Sequence, residues 1–79
     1  MDNPANERVR IVVTLDVMMA RRKAKGKDLA EYVGITEANL SLLKQGRVKG
    51  VRFDTLARIC EFLGCGPGDI LDAERDPST

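Results

Sequence analysis

Residues 27–46 hold two stretches of helical periodicity set so close together that only a tight turn fits between them. Leu29, Ala30 and Val33 recur at helical spacing, and Leu40 and Leu43 do the same a few residues later. Gly34 stands where a helix ends in a left-handed residue, and Thr36 carries the side chain that caps the next helix. Ala30 is small where two such helices must cross closely, and Ile35 and Leu40 supply apolar contacts around the turn. The spacing predicts a helix-turn-helix, with helices over about residues 27–33 and 36–45.

The flanking segments fit one small core around this unit. Residues 8–14 place Val9, Ile11 and Val13 at a spacing of two in a β-branched run, which predicts a short strand. Thr14 is then the expected cap of a first helix whose stripe is Leu15, Met18, Met19 and the stem of Arg22. A fourth helix over residues 53–63 turns Phe53, Leu56, Ile59, Cys60 and Leu63 inward and stops at Gly64. Pro67 suits the first turn of a fifth, short helix to about residue 72, in which Ile70 and Leu71 close the core. Residues 1–7 read as a flexible N-terminus, residues 8–73 as the domain, and residues 74–79 as a flexible acidic tail.

Composition narrows the function. A chain of 79 residues has room for one domain, and 43% hydrophobic with 32% charged residues is ordinary for a globular protein. No apolar run nears the roughly 18 to 20 residues of a membrane span, and Met1-Asp2-Asn3-Pro4 opens polar, so a cytoplasmic address away from any membrane is expected. There is no His, which removes the usual general base and every Ser/His or Cys/His arrangement, so an enzyme is not expected. Cys60 and Cys65 are too few for a zinc site or a disulfide scaffold and read as buried small hydrophobes; no metal or cofactor is expected.

The series Leu29-Ala30-Glu31, Gly34-Ile35-Thr36, Leu40-Ser41, Gly46, Phe53-Asp54-Thr55-Leu56, Leu63-Gly64-Cys65 and Pro67-Gly68-Asp69-Ile70-Leu71, in register, resembles the lambda-repressor-like, Cro-type helix-turn-helix family, also called the Xre family. The resemblance covers about residues 10–72. It implies an all-α, five-helix domain, here with a short N-terminal β-strand, that binds double-stranded DNA and regulates transcription, as a repressor occupying an operator.

On that resemblance, residues 36–45 form the recognition helix. Its base-reading positions are Thr36, Glu37, Ala38, Asn39 and Leu42. Asn39 suits an adenine, Glu37 a cytosine amino group, and Ala38 or Leu42 a thymine methyl. The resemblance further implies phosphate contacts from Lys25, Lys27, Ser41, Lys44, Gln45, Arg47, Lys49 and Arg52. The sequence departs from the family pattern in the recognition helix, where Glu37, Ala38 and Leu42 stand at positions that often carry Gln, Arg or Ser. Outside it, Gly26 replaces a common Gln, and Lys25 and Arg52 stand where neutral or acidic caps are usual. Cations at such positions make sense on a face that meets a polyanion.

The strand has two readings, an edge packed on its own domain or one paired with a second copy. Related small members suggest a homodimer, whose two recognition helices would fit a palindromic operator. An alternative role is that of an antitoxin-like or adaptor protein, using the acidic stretch from Asp69 to Asp76 to hold a basic protein partner. The formal net charge of +1 does not argue against DNA, because charge is unevenly spread. Residues 21–58 carry ten Lys and Arg against four Asp and Glu, while residues 59–79 carry one against five.

Overall fold

A computed structural model describes residues 9–75. In chain order it contains β1 (Val9–Val13), α1 (Leu15–Arg21), α2 (Gly26–Val33), α3 (Glu37–Lys44), α4 (Phe53–Leu63), a 3-10 turn (Pro67–Asp69) and β2 (Leu71–Arg75). Leu15, Leu29, Leu40, Ile59 and Ile70, one from each of the four helices and one from the chain after the 3-10 turn, are the largest fully buried side chains. Fully burying a Leu or Ile contributes about 1.5–3 kcal/mol, so these five hold the elements together. Ala30, 2% exposed, lets α2 pack against both α3 and α4.

Local chemistry sets the helix ends. α2 stops at Gly34, whose φ of +89° is left-handed, and the Ala30 carbonyl accepts from the N–H groups of Gly34 at 2.8 Å and Ile35 at 3.0 Å. The C-terminus of α4 is held from outside: Arg22 donates from Nε to the Leu63 carbonyl at 2.8 Å and from a terminal nitrogen to the Gly64 carbonyl at 3.3 Å. Arg22 therefore belongs to the scaffold, with its guanidinium on the last carbonyls of a helix, where positive charge is favoured. Tyr32 and Phe62 add an aromatic contact between α2 and α4, with centroids 5.2 Å apart. A hydrogen bond with Glu61 raises the Tyr32 phenol above its usual pKa.

The structure departs from the sequence expectation at both ends of the domain. Among the described residues there are four α-helices, and the expected fifth is one 3-10 turn. The Asp69 carboxylate accepts from the Gly66 N–H at 2.9 Å and closes that turn, after which Ile70 leaves helical geometry and the chain extends. The fold is consequently not all-α. β2 pairs antiparallel with β1, from Val9 opposite Arg75 to Val13 opposite Leu71, so the partner of the N-terminal strand lies in the same chain. A single strand has unpaired backbone groups, and that need outweighs the weak helical signal of residues 70–72. Glu74 and Arg75, assigned by sequence to the acidic tail, are strand residues; residues 1–8, which include the expected flexible N-terminus, and 76–79 lie outside the described region.

Other differences are local. Thr14 makes no side-chain cap; its hydroxyl donates to the Asp69 carbonyl at 3.2 Å and its N–H to the Ile70 carbonyl at 2.8 Å, tying the start of α1 to the end of the chain. Phe53 is 86% exposed rather than inward, because the first turn of α4 extends past the core that Ile59 and Leu63 reach. Cys60 and Cys65 are half-buried, and burial, with Cys65 nearby, pushes the Cys60 thiol above its usual pKa. Such a thiol stays protonated at neutral pH and is a poor nucleophile. Among the described residues no helix is long and apolar enough to cross a membrane.

Because Gly34 holds a left-handed φ, Gly34→Ala is expected to lower the unfolding free energy by about 1–2 kcal/mol, read from urea denaturation followed by circular dichroism. Arg22→Ala is expected to cost about 1 kcal/mol in the same assay, whereas Arg21→Ala on the exposed side of α1 should leave stability within about 0.5 kcal/mol.

Candidate nucleic-acid interface

The geometry of the interface begins at Thr36. Its backbone is extended (φ −79°, ψ 158°) and its Oγ1 accepts from the Asn39 N–H at 3.0 Å, so α3 starts at a fixed residue and direction. Leu40 and Leu43, 1% and 7% exposed, pin one side of α3 to the core. Glu37, Ala38, Asn39 and Leu42 remain exposed, while Ser41 and Lys44 are half-buried. Eight residues at 1.5 Å each make α3 about 12 Å long, comparable with the width of the B-DNA major groove. Thr36 lies at the same end; its Oγ1 accepts in the cap, which leaves the O–H to donate elsewhere. The Gln45 side-chain amide donates to Ser41 Oγ at 3.1 Å, which links these two candidates one turn apart.

The start of α2 lies against α3. A Cβ placed on Gly26 would sit 3.8 Å from Leu40 Cδ2, so Lys25 and Lys27 are brought beside the N-terminal half of α3. Lys25 and Arg52, the residues preceding α2 and α4, make no side-chain cap hydrogen bond. The first N–H groups of α2 thus lack a side-chain acceptor and sit beside a cation, an arrangement that favours an anion, whereas at the start of α4 the Thr55 N–H donates to Asp54 Oδ1 at 2.9 Å. Lys25, Lys27, Lys44 and Arg47 form no ion pair among the described residues; Arg52 lies 3.5 Å from Asp54. Lys23, between α1 and α2, adopts a left-handed backbone (φ +54°) that a non-glycine residue rarely takes.

Not every predicted contact lies together. Lys49 lines a groove between the α3–α4 loop and the sheet, shared with Ile11, Leu43, Val51, Leu71 and Asp72, which separates it from the cations at the start of α2. That groove was not foreseen from the sequence. The alternation Leu71, Asp72, Ala73, Glu74 was the available signal, since a period of two marks a strand that would cover the loop.

Comparison with known proteins agrees with this geometry. The family described as the Cro/C1-type HTH DNA-binding domain matches residues 14–76. The chain belongs to the Cro/C1-type helix-turn-helix family. The match spans both helices of the motif and the α4 segment that packs on them. A Bacillus subtilis (strain 168) protein, named "Uncharacterized HTH-type transcriptional regulator YozG", is 51% identical over 69 residues, which are 87% of this chain and 82% of that protein. The crystal structure of the transcriptional regulator VanUg is similar with a TM-score of 0.69 and 28% identity, over 96% of this chain and all of that one. A crystal structure of a Bacteroides fragilis protein, at 21% identity and a TM-score of 0.71 over 80% of this chain and 100% of that one, shares the fold. The second helix of the matched motif is α3, whose Glu37, Ala38, Asn39 and Leu42 are exposed.

The Thr36 cap has a measurable share in this arrangement. Thr36→Ala is expected to lower stability by about 1 kcal/mol, and Thr36→Ser, which keeps the acceptor, to stay within about 0.5 kcal/mol of the parent in thermal unfolding.

Proposed function

We propose that the chain is a sequence-specific repressor that places α3 in the major groove of double-stranded DNA and excludes polymerase from an operator. The observation that carries this reading is the division of α3: Leu40 and Leu43 buried, Glu37, Ala38, Asn39 and Leu42 exposed together, with the uncapped cationic start of α2 alongside. Asn39 makes the main base contact, two hydrogen bonds to an adenine edge. Glu37 accepts from a cytosine amino group, Thr36 turns its free O–H to a base edge, and Ala38 and Leu42 touch thymine methyls. Lys25, Lys27, Ser41, Lys44, Gln45, Arg47 and Arg52 hold phosphates and fix the register without reading sequence. Two copies act together on a palindromic site, because a single eight-residue helix reads too few base pairs to select one operator.

The adaptor reading relies on free carboxylates in the C-terminal stretch, and two of them are engaged. Glu74 holds Arg10 at 2.6 Å and Asp69 holds the Gly66 N–H. A basic partner would find less negative charge there than the sequence suggests.

Retardation of labelled duplexes over a salt series tests the proposal. Asn39→Ala is expected to lose about 1–3 kcal/mol on the preferred site and little on random DNA. Arg47→Ala should weaken all sequences alike and reduce the slope of log K against log salt by about 1. If no duplex from the neighbouring genomic region is bound better than random DNA, operator recognition is refuted. Gly26 accommodates a Cβ in ordinary van der Waals contact with Leu40 and has no left-handed φ, so Gly26→Gln is expected to add one phosphate contact and tighten binding about fivefold.

A further inference from the structure

The sheet and the α3–α4 loop enclose a groove of about 520 Å³ that α3 and the basic helix starts leave unused. Ile11 from β1, Leu43 from α3, Val48 and Val51 from the loop, and Leu71 and Ala73 from β2 line it. Ile11 is 65% exposed and Val48 39% exposed, so apolar surface lies open to water at both sides of the groove. Contiguous exposed apolar surface of this kind marks an interaction site. The sheet supplying one wall has two strands, a marginal structure on its own, and β1 is hydrogen-bonded along one edge.

We propose that a second copy of this chain docks on this groove, and that Ile11 of each copy fills the groove of the other about a two-fold axis. This rests on the two-copy reading above and names the surface that joins the copies. Ridge and hollow lie side by side on one surface, the requirement for an isologous contact in which each copy presents the same patch. The charges in the lining are also self-complementary. Lys49 and Asp72 both border the groove, and neither is in an ion pair among the described residues. A two-fold axis sets Lys49 of one copy against Asp72 of the other, twice. A strongly acidic or strongly basic partner would gain from one of these charges and lose from the other. Leu43 links the groove to function, because it belongs to the last turn of α3: a contact made here fixes the spacing of the two recognition helices.

Sedimentation equilibrium of the full chain without DNA decides the matter. The expected mass is twice the 8.7 kDa of one chain, and Ile11→Asp is expected to raise the dimer dissociation constant at least tenfold. Ile11 is mostly exposed in the single chain, so the variant should keep its circular dichroism spectrum. As an independent check, Lys49→Asp and Asp72→Lys should each weaken the dimer several-fold, and the double variant should restore it. A wild-type chain that stays monomeric at millimolar concentration overturns the proposal. So does a dimer unmoved by Ile11→Asp and by both single charge variants, since the contact would then lie elsewhere. Binding of a half-site duplex is measured in parallel: Ile11→Asp should bind it as wild type does. Loss of half-site binding by both proteins would count against DNA reading, while the mass measurement alone decides the interface.

Discussion

Everything in this molecule that bears on function depends on the turn of three residues between α2 and α3. Gly34 takes a left-handed φ of +89° that lets α2 end abruptly, Ile35 sits half-buried beneath, and Thr36 closes the start of α3 on the Asn39 N–H. Each step removes a freedom that the next would need. Once the turn is set, Leu40 can be buried to 1% only with the opposite side of α3 facing out. The exposed row of Glu37, Ala38, Asn39 and Leu42 is therefore a consequence of packing rather than a separate feature.

The rest of the chain stiffens that arrangement. Arg22 joins α1 to the end of α4 through the Leu63 and Gly64 carbonyls, and Thr14 joins the start of α1 to Asp69 and Ile70. The strand pair then closes the domain with β1 and β2, taken from its two ends. Charge is divided accordingly. The basic start of α2 lies beside α3, while part of the acidic C-terminal stretch is spent internally, with Glu74 on Arg10 and Asp69 on Gly66. A near-neutral total thus coexists with a cationic side, which favours short-range phosphate contacts over long-range attraction to any polyanion.

The helices and the motif were legible in the sequence because their determinants are local. Periodicity found α1 to α4, and Gly34 and Thr36 marked the turn. What was not legible depends on contacts between distant residues. Pro67 is a sound helix start, yet the chain after it becomes a strand because β1, almost sixty residues earlier, needs a partner. Phe53 falls on the apolar stripe of α4 but stands where that helix has left the core, and periodicity carries no information about where the core ends. Arg22 was legible as a packing stem, but its hydrogen bonds to the end of α4 are a tertiary fact. Among the site residues, the basic cluster was visible as composition, whereas the separation of Lys49 toward the sheet appears only once β2 is placed.

On the proposal above, the outer side of α3 reads sequence in duplex DNA, two copies at a time. Selection of bound duplexes from a random-sequence library by the purified chain tests it most directly. Enrichment of one two-fold symmetric site is expected, with half-site centres about 34 Å apart, one turn of duplex. A bound pool with no enriched sequence would contradict it.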